Sequence, residues 1–148
     1  MHLNANVGAS KLDVALYLVN KKQKRIFGGV HVKASLAERV SDDIPASRAM
    51  MADGYFSPLW TLDVKSFPPP TGDLVNRGEL GTPKAPSDKR RYVENDGDFD
   101  NCYSGNGRSA PSEGDTKSGK RIVKIRLSQQ PDDFAREVIV RAEAFRNR

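Results

Sequence analysis

His31 and Lys33 stand two residues apart in a β-rich run, so a strand would carry both on one face. Such a pair could act as acid and base on a phosphodiester, the chemistry of a small nuclease or toxin built around His31. No third group stands at a readable spacing, and the other histidine, His2, lies at the N-terminus. The pair suggests a reaction without completing a site, and no residue is assigned a catalytic role on this basis.

Asp96, Asp98 and Asp100 alternate, with Glu94 and Asn101 flanking them. Alternating carboxylates resemble the first half of a calcium loop, where they converge on one ion. The pattern then departs from such a loop. Asn101 occupies the sixth position in place of glycine, and Gly107 the twelfth in place of glutamate. The other reading is an acidic solvated loop.

Two basic sets could meet phosphates. Lys21, Lys22, Lys24 and Arg25 cluster where a hairpin tip is expected, and a projecting basic tip can reach a nucleic-acid backbone. Lys120, Arg121, Lys124 and Arg126 form the second set, with Lys120, Lys124 and Arg126 on one parity of a strand. If both sets faced the same side they would form one basic surface. Otherwise each is ordinary solvated surface. No Gly-x-Gly-x-x-Gly, phosphate-binding Gly-x-x-x-x-Gly-Lys or His-Glu-x-x-His occurs, and no cofactor is implied. Cys102 is the single cysteine, which excludes an internal disulfide and a cysteine-built zinc site and fits a reducing setting.

These residues need elements to position them. Residues 13–20 and 25–33 read as two strands across a polar break, a hairpin. Gly28-Gly29 inside the second suggests a bulge or a close backbone approach. Ser35 and Glu38 have capping-box spacing, which predicts a short helix over 36–40, and Pro45 opens a second over 45–52 that Asp53-Gly54 stops. Residues 55–64, around Trp60, read as a third strand. Lys120–Leu127 alternates best of all, with Val123, Ile125 and Leu127 on one side. Pro131 and the two aspartates behind it open a final helix to about Arg146, with the stripe Phe134, Val138, Ala142 and Phe145.

Between these parts lies 66–119, which holds six of the nine prolines and eight of the twelve glycines and shows no period. Irregular loops beyond about 12–15 residues are usually functional or disordered. The expected fold is α+β: a small, mainly antiparallel sheet of the N-terminal hairpin, the Trp60 strand and the Lys120–Leu127 strand, with a C-terminal helix. Residues 1–65 and 120–148 would together make one core domain, and 66–119 an extended Pro/Gly-rich arm or loop that wraps neighbouring subunits or folds back over the core. The net charge of +5 is compatible with a nucleic-acid partner. No membrane-length apolar run and no secretory signal pattern is seen, which suits a cytoplasmic or virion setting.

The resulting expectation is a non-enzymatic structural or accessory subunit of a larger, phage-like assembly, whose arm orders on neighbouring protein subunits. A nucleic-acid-binding module using the two basic sets is the alternative, and the small nuclease around His31 the second alternative.

Overall fold

The computed structural model describes residues 12–20, 23–37, 39–65 and 78–147. The fold is α+β, with a five-stranded mixed sheet whose spatial order follows the chain. The strands are β1 (Val14–Asn20), β2 (Gln23–Lys33), β3 (Leu59–Thr61), β4 (Cys102–Ser104) and β5 (Ile122–Lys124). The helices are α1 (Val40–Ala52), α2 (Asp88–Glu94) and α3 (Asp133–Arg146). Among the described residues no helix is long and apolar enough to cross a membrane.

The expected hairpin is present, with β1 antiparallel to β2. The expected mainly antiparallel sheet is not. β2–β3, β3–β4 and β4–β5 are all parallel, because the chain crosses over between each pair instead of turning back. Gly28 and Gly29 account for both readings of that dipeptide. The β1–β2 register shifts between Leu16 and Tyr17, opposite this stretch of β2. A Cβ on Gly28 would lie 2.4 Å from the Phe56 carbonyl oxygen, so only glycine lets that segment close in.

The short helix expected over 36–40 does not form: Leu36 and Ala37 lie in a turn, Glu38 of the expected capping box lies outside the described residues, and Arg39, left-handed at φ 55°, leads into α1 without a side-chain cap. The helix expected over 45–52 is present as α1 but starts earlier, at Val40, with Pro45 inside it. Asp42 and Asp43 sit in its first turn, where carboxylates favour the helix dipole. Gly54, at φ 79°, follows its end as expected.

The largest correction concerns 66–119. Residues 66–77 lie outside the described part, but 78–119 is not an arm. It contributes α2 and the inner strand β4, which sits between β3 and β5. Its few apolar residues are spent inside: Leu80, Val93, Phe99 and Cys102 join Leu36, Val40, Leu59 and Ile122 in the main core. Polar groups complete the packing. Arg90 is fully buried and donates to the carbonyls of Leu80, Gly81 and Ala110 and to Glu94 Oε1. One guanidinium thus ties the loop at Leu80–Gly81 to the one at Ala110 through their main-chain carbonyls. Burial also pushes the Cys102 thiol far above its ordinary range, so it is not a nucleophile.

The opposite face of the sheet carries α3. Phe134 meets Tyr103 edge-on with ring centroids 5.0 Å apart, and Phe145 lies 6.1 Å from Phe27. The stripe Phe134, Val138, Ala142 and Phe145 does face the sheet, yet all four are only half-buried. The two sides should therefore differ in energy. Phe99→Ala is expected to cost about 3–5 kcal/mol, as for a fully buried ring, and Phe134→Ala clearly less. Urea unfolding of the two variants checks the order, and equal losses would contradict this account of where the core lies.

Candidate active site

The C-terminal half of β2 carries the candidate residues His31 and Lys33. His31, Val32 and Lys33 pair with Leu59, Trp60 and Thr61, and His31 and Lys33 share the face on which α1 packs. The first turn of α1 brings in Asp43. Its Oδ2 lies 2.8 Å from Lys33 Nζ and 3.6 Å from His31 Nδ1. A second carboxylate arrives from the other side. Val14 pairs with Val30, so Asp13, one residue earlier, lies across from His31. Asp13 Oδ2 accepts the Val32 N–H at 2.7 Å.

Accessibility divides these four residues. Asp13 is exposed, and the Lys33 and Asp43 side chains are 17% and 16% exposed. His31 is wholly buried. Its ring stands edge-on to Phe99 at 5.4 Å, and Nε2 is 3.1 Å from Ser57 Oγ. Burial lowers its pKa below the ordinary 6.5 and outweighs the opposing pull of Asp43 and then Asp13. A ring with no solvent exposure cannot exchange protons with a phosphodiester in solvent, so His31 is not the acid or base the sequence suggested. Lys33, Asp13 and Asp43 are the groups a substrate can touch. Each carboxylate has Oδ2 engaged from within the protein, and among the described residues neither Oδ1 takes a hydrogen bond.

The other residues singled out from sequence do not converge. Asp98 is buried and paired with Arg48 at 2.5 Å. Asp100 accepts the Ser57 N–H at 3.1 Å and pairs with Lys120, while Asp96 is exposed. The calcium-loop pattern is therefore occupied by ion pairs. Among the described residues no group of three or more His, Cys, Asp or Glu side chains is placed to hold a metal ion.

Of the basic tip, Lys21 and Lys22 lie outside the described residues. Lys24 rests 4.9 Å over the Tyr17 ring and Arg25 5.0 Å over Phe145. In the second set, Arg121 donates to the carbonyls of Ser112 and Gly114, and Lys124 to that of Gly107. Arg126 is exposed and lines, with Arg121 and Lys124, an open groove of about 420 Å³ at the β5 edge. The strand order puts Lys24 and Arg25 on the β1–β2 side of the sheet and the second set at the β5 edge, so the described members do not share one sheet edge.

The sequence profile described as BsaWI restriction endonuclease type 2 matches residues 1–131. The chain belongs to the BsaWI restriction endonuclease family. It is similar to the type II restriction enzyme AgeI of Thalassovita gelatinovora, with 63% identity over 109 residues, 74% of this chain and 39% of that enzyme. It also resembles the crystal structure of the specific restriction endonuclease AgeI–DNA complex. There the TM-score is 0.82 at 52% identity, over 91% of this chain and 51% of the other. The chain thus spans about half, or less, of the length of the relatives it matches.

Membership in this family overturns the expected non-enzymatic structural subunit, and with it the phage or virion assembly. It also leaves the expected neighbouring protein subunits without support. Asp13 and Asp43 were missed from sequence. A signal for Asp13 existed, since the hairpin register places it across from His31. Asp43 had none, because only the folding of α1 onto β2 brings it near.

Removing Lys33 should expose what holds the pair. Lys33→Met leaves a largely buried carboxylate without its counter-charge and should cost about 1–3 kcal/mol. Adding Asp43→Asn should recover part of that loss, a non-additivity that urea unfolding of the three variants measures. Strict additivity would mean the two groups do not interact in solution.

Proposed function

We propose that this chain carries a DNA-hydrolysing centre formed by Asp13, Lys33 and Asp43. The observation that carries the reading is the Lys33–Asp43 pair at the end of β2, with Asp13 across the hairpin from His31 and bonded to the Val32 N–H between the two. Family membership and the likeness to the AgeI–DNA complex support DNA as the substrate. The earlier alternatives then combine: a chain that cuts DNA must also bind it, and the reacting groups surround His31 without including it.

Hydrolysis of a phosphodiester adds water at phosphorus and breaks one phosphorus–oxygen bond, with negative charge building on the phosphoryl oxygens. Lys33 supplies a positive charge and three donors on a flexible stem, suited to those oxygens or to orienting the water. Asp13 and Asp43 are the residues that would hold a divalent cation, which when bound would neutralise phosphate charge and lower the pKa of a water. The donor set fits such an ion of the magnesium kind. It offers oxygen only, from two carboxylates, and magnesium typically takes one or two carboxylates and completes its shell with waters and substrate phosphates. Among the described residues Asp43 Oδ2 is buried with only the Lys33 ammonium at 2.8 Å and the His31 ring at 3.6 Å beside it, which fits a carboxylate placed for more than packing.

Arg126 and Lys124 at the β5 edge are proposed as backbone contacts, with the exposed Lys24 and Arg25 on the hairpin. Phosphate contacts position a duplex without reading its sequence.

The test is cleavage of plasmid DNA in magnesium buffer by the full chain and three variants. Lys33→Ala, Asp13→Asn and Asp43→Asn should each lower the rate at least about 100-fold, a loss typical for removed electrostatic stabilisation, with DNA binding retained. Cleavage at the parent rate by all three would refute this assignment.

A further inference from the structure

His31 Nδ1 is buried without a hydrogen bond and faces, at 3.6 Å, the same Asp43 Oδ2 that Lys33 Nζ approaches to 2.8 Å. Leaving a buried ring nitrogen unsatisfied is costly, and here a shift of under about 1 Å would join it to the carboxylate. The other side of the ring decides which nitrogen carries the proton. Ser57 Oγ is 3.1 Å from Nε2 and 2.8 Å from Ser47 Oγ. If Ser47 donates to Ser57 and Ser57 donates to Nε2, the ring proton resides on Nδ1 and points at the carboxylate. The opposite tautomer would turn a lone pair toward Asp43, which is electrostatically unfavourable. Ser57 is itself fixed, its N–H donating to Asp100 Oδ2 at 3.1 Å, so the ring has a rigid support behind it.

We propose that His31 is a positioning residue whose Nδ1–H holds Asp43 when Lys33 turns from Asp43 toward the substrate. Lys33 is the only cation paired with Asp43 among the described residues. A phosphate that draws its ammonium away weakens that hold on a carboxylate the proposed reaction needs in place. His31 then keeps Asp43 aligned without touching substrate. This inference rests on the reading of Asp13, Lys33 and Asp43 as the hydrolytic centre.

Two isosteres separate the ring's two sides. The amide nitrogen of asparagine lies near the position of Nδ1, and that of glutamine near Nε2. His31→Asn can therefore still reach Asp43, and His31→Gln keeps only the Ser57 side. Each is made in the parent chain and in a Lys33→Met background that mimics the departed lysine, and all six proteins are melted. The proposal expects His31→Gln to lower Tm by at least about 3 °C more in the Lys33→Met background than in the parent. His31→Asn should shift both backgrounds alike. In single-turnover cleavage with saturating DNA, His31→Gln should lose about 10–100-fold in rate with DNA affinity unchanged, the loss typical of a group that orients a reacting residue. His31→Asn should stay within about threefold of the parent.

Equal effects of Asn and Gln in both backgrounds would overturn the proposal. The melts need no activity, so they report on His31 independently of cleavage. If Lys33→Met cuts DNA like the parent, the hydrolytic centre itself has been misread, an outcome distinguishable from the failure of His31 to couple.

Discussion

The sheet depends on how closely its second strand can be approached. Without a side chain at Gly28, the segment entering β3 comes near enough for Gly29 N–H to donate to Phe56 O at 2.9 Å and His31 N–H to Pro58 O at 3.0 Å. A Cβ on Gly29 would likewise meet Leu12 at 2.7 Å. β2 can therefore take an antiparallel partner on one side and a parallel one on the other. That double pairing sets the site. It seats Ser57 beside the His31 ring, puts Asp13 across from His31, and makes α1 the crossover that delivers Asp43. The chemical groups come from three separate elements, and one strand gives them a common frame.

The interior beyond that frame is polar to an unusual degree and almost fully satisfied. Asp63, just past β3, is buried at φ 50° and accepts the Glu79 N–H at 2.6 Å and the Ser109 hydroxyl at 2.5 Å. Burial holds its carboxyl above the usual range, while those two bonds pull the other way. Gly78 has no room for a Cβ, which would fall 1.8 Å from Asp63 Oδ2. Arg90 does the same work across 80–110, joining loops through main-chain carbonyls. Such networks order a segment poor in apolar residues, provided nearly every member finds a partner.

This explains what was legible. The hairpin, the glycine pair and the C-terminal helix announce themselves through local periodicity and turn chemistry. The face shared by His31 and Lys33 was readable for the same reason, as was the alternation around Val123. The parallel order was not. β3, β4 and β5 are each three residues long, too short to show a period, and β4 is buried within a stretch whose composition resembles a linker. The seven residues of α2 hold only Tyr92 and Val93 as apolar positions, and Ser87 caps them without a capping box. The Asp96–Asp98–Asp100 pattern misled because charge spacing does not reveal which carboxylates Arg48 and Lys120 will claim. Asp43 joins the site only through tertiary packing.

The central claim is that Asp13, Lys33 and Asp43 face the reacting phosphate together. A crystal structure of this chain with duplex DNA and Mn²⁺, the ion located by its anomalous scattering, tests it most directly. The account predicts manganese bound by both Asp13 and Asp43, with Lys33 Nζ directed at a phosphate oxygen. Manganese bound elsewhere, with Lys33 still closed on Asp43 and no phosphate within reach, would contradict it.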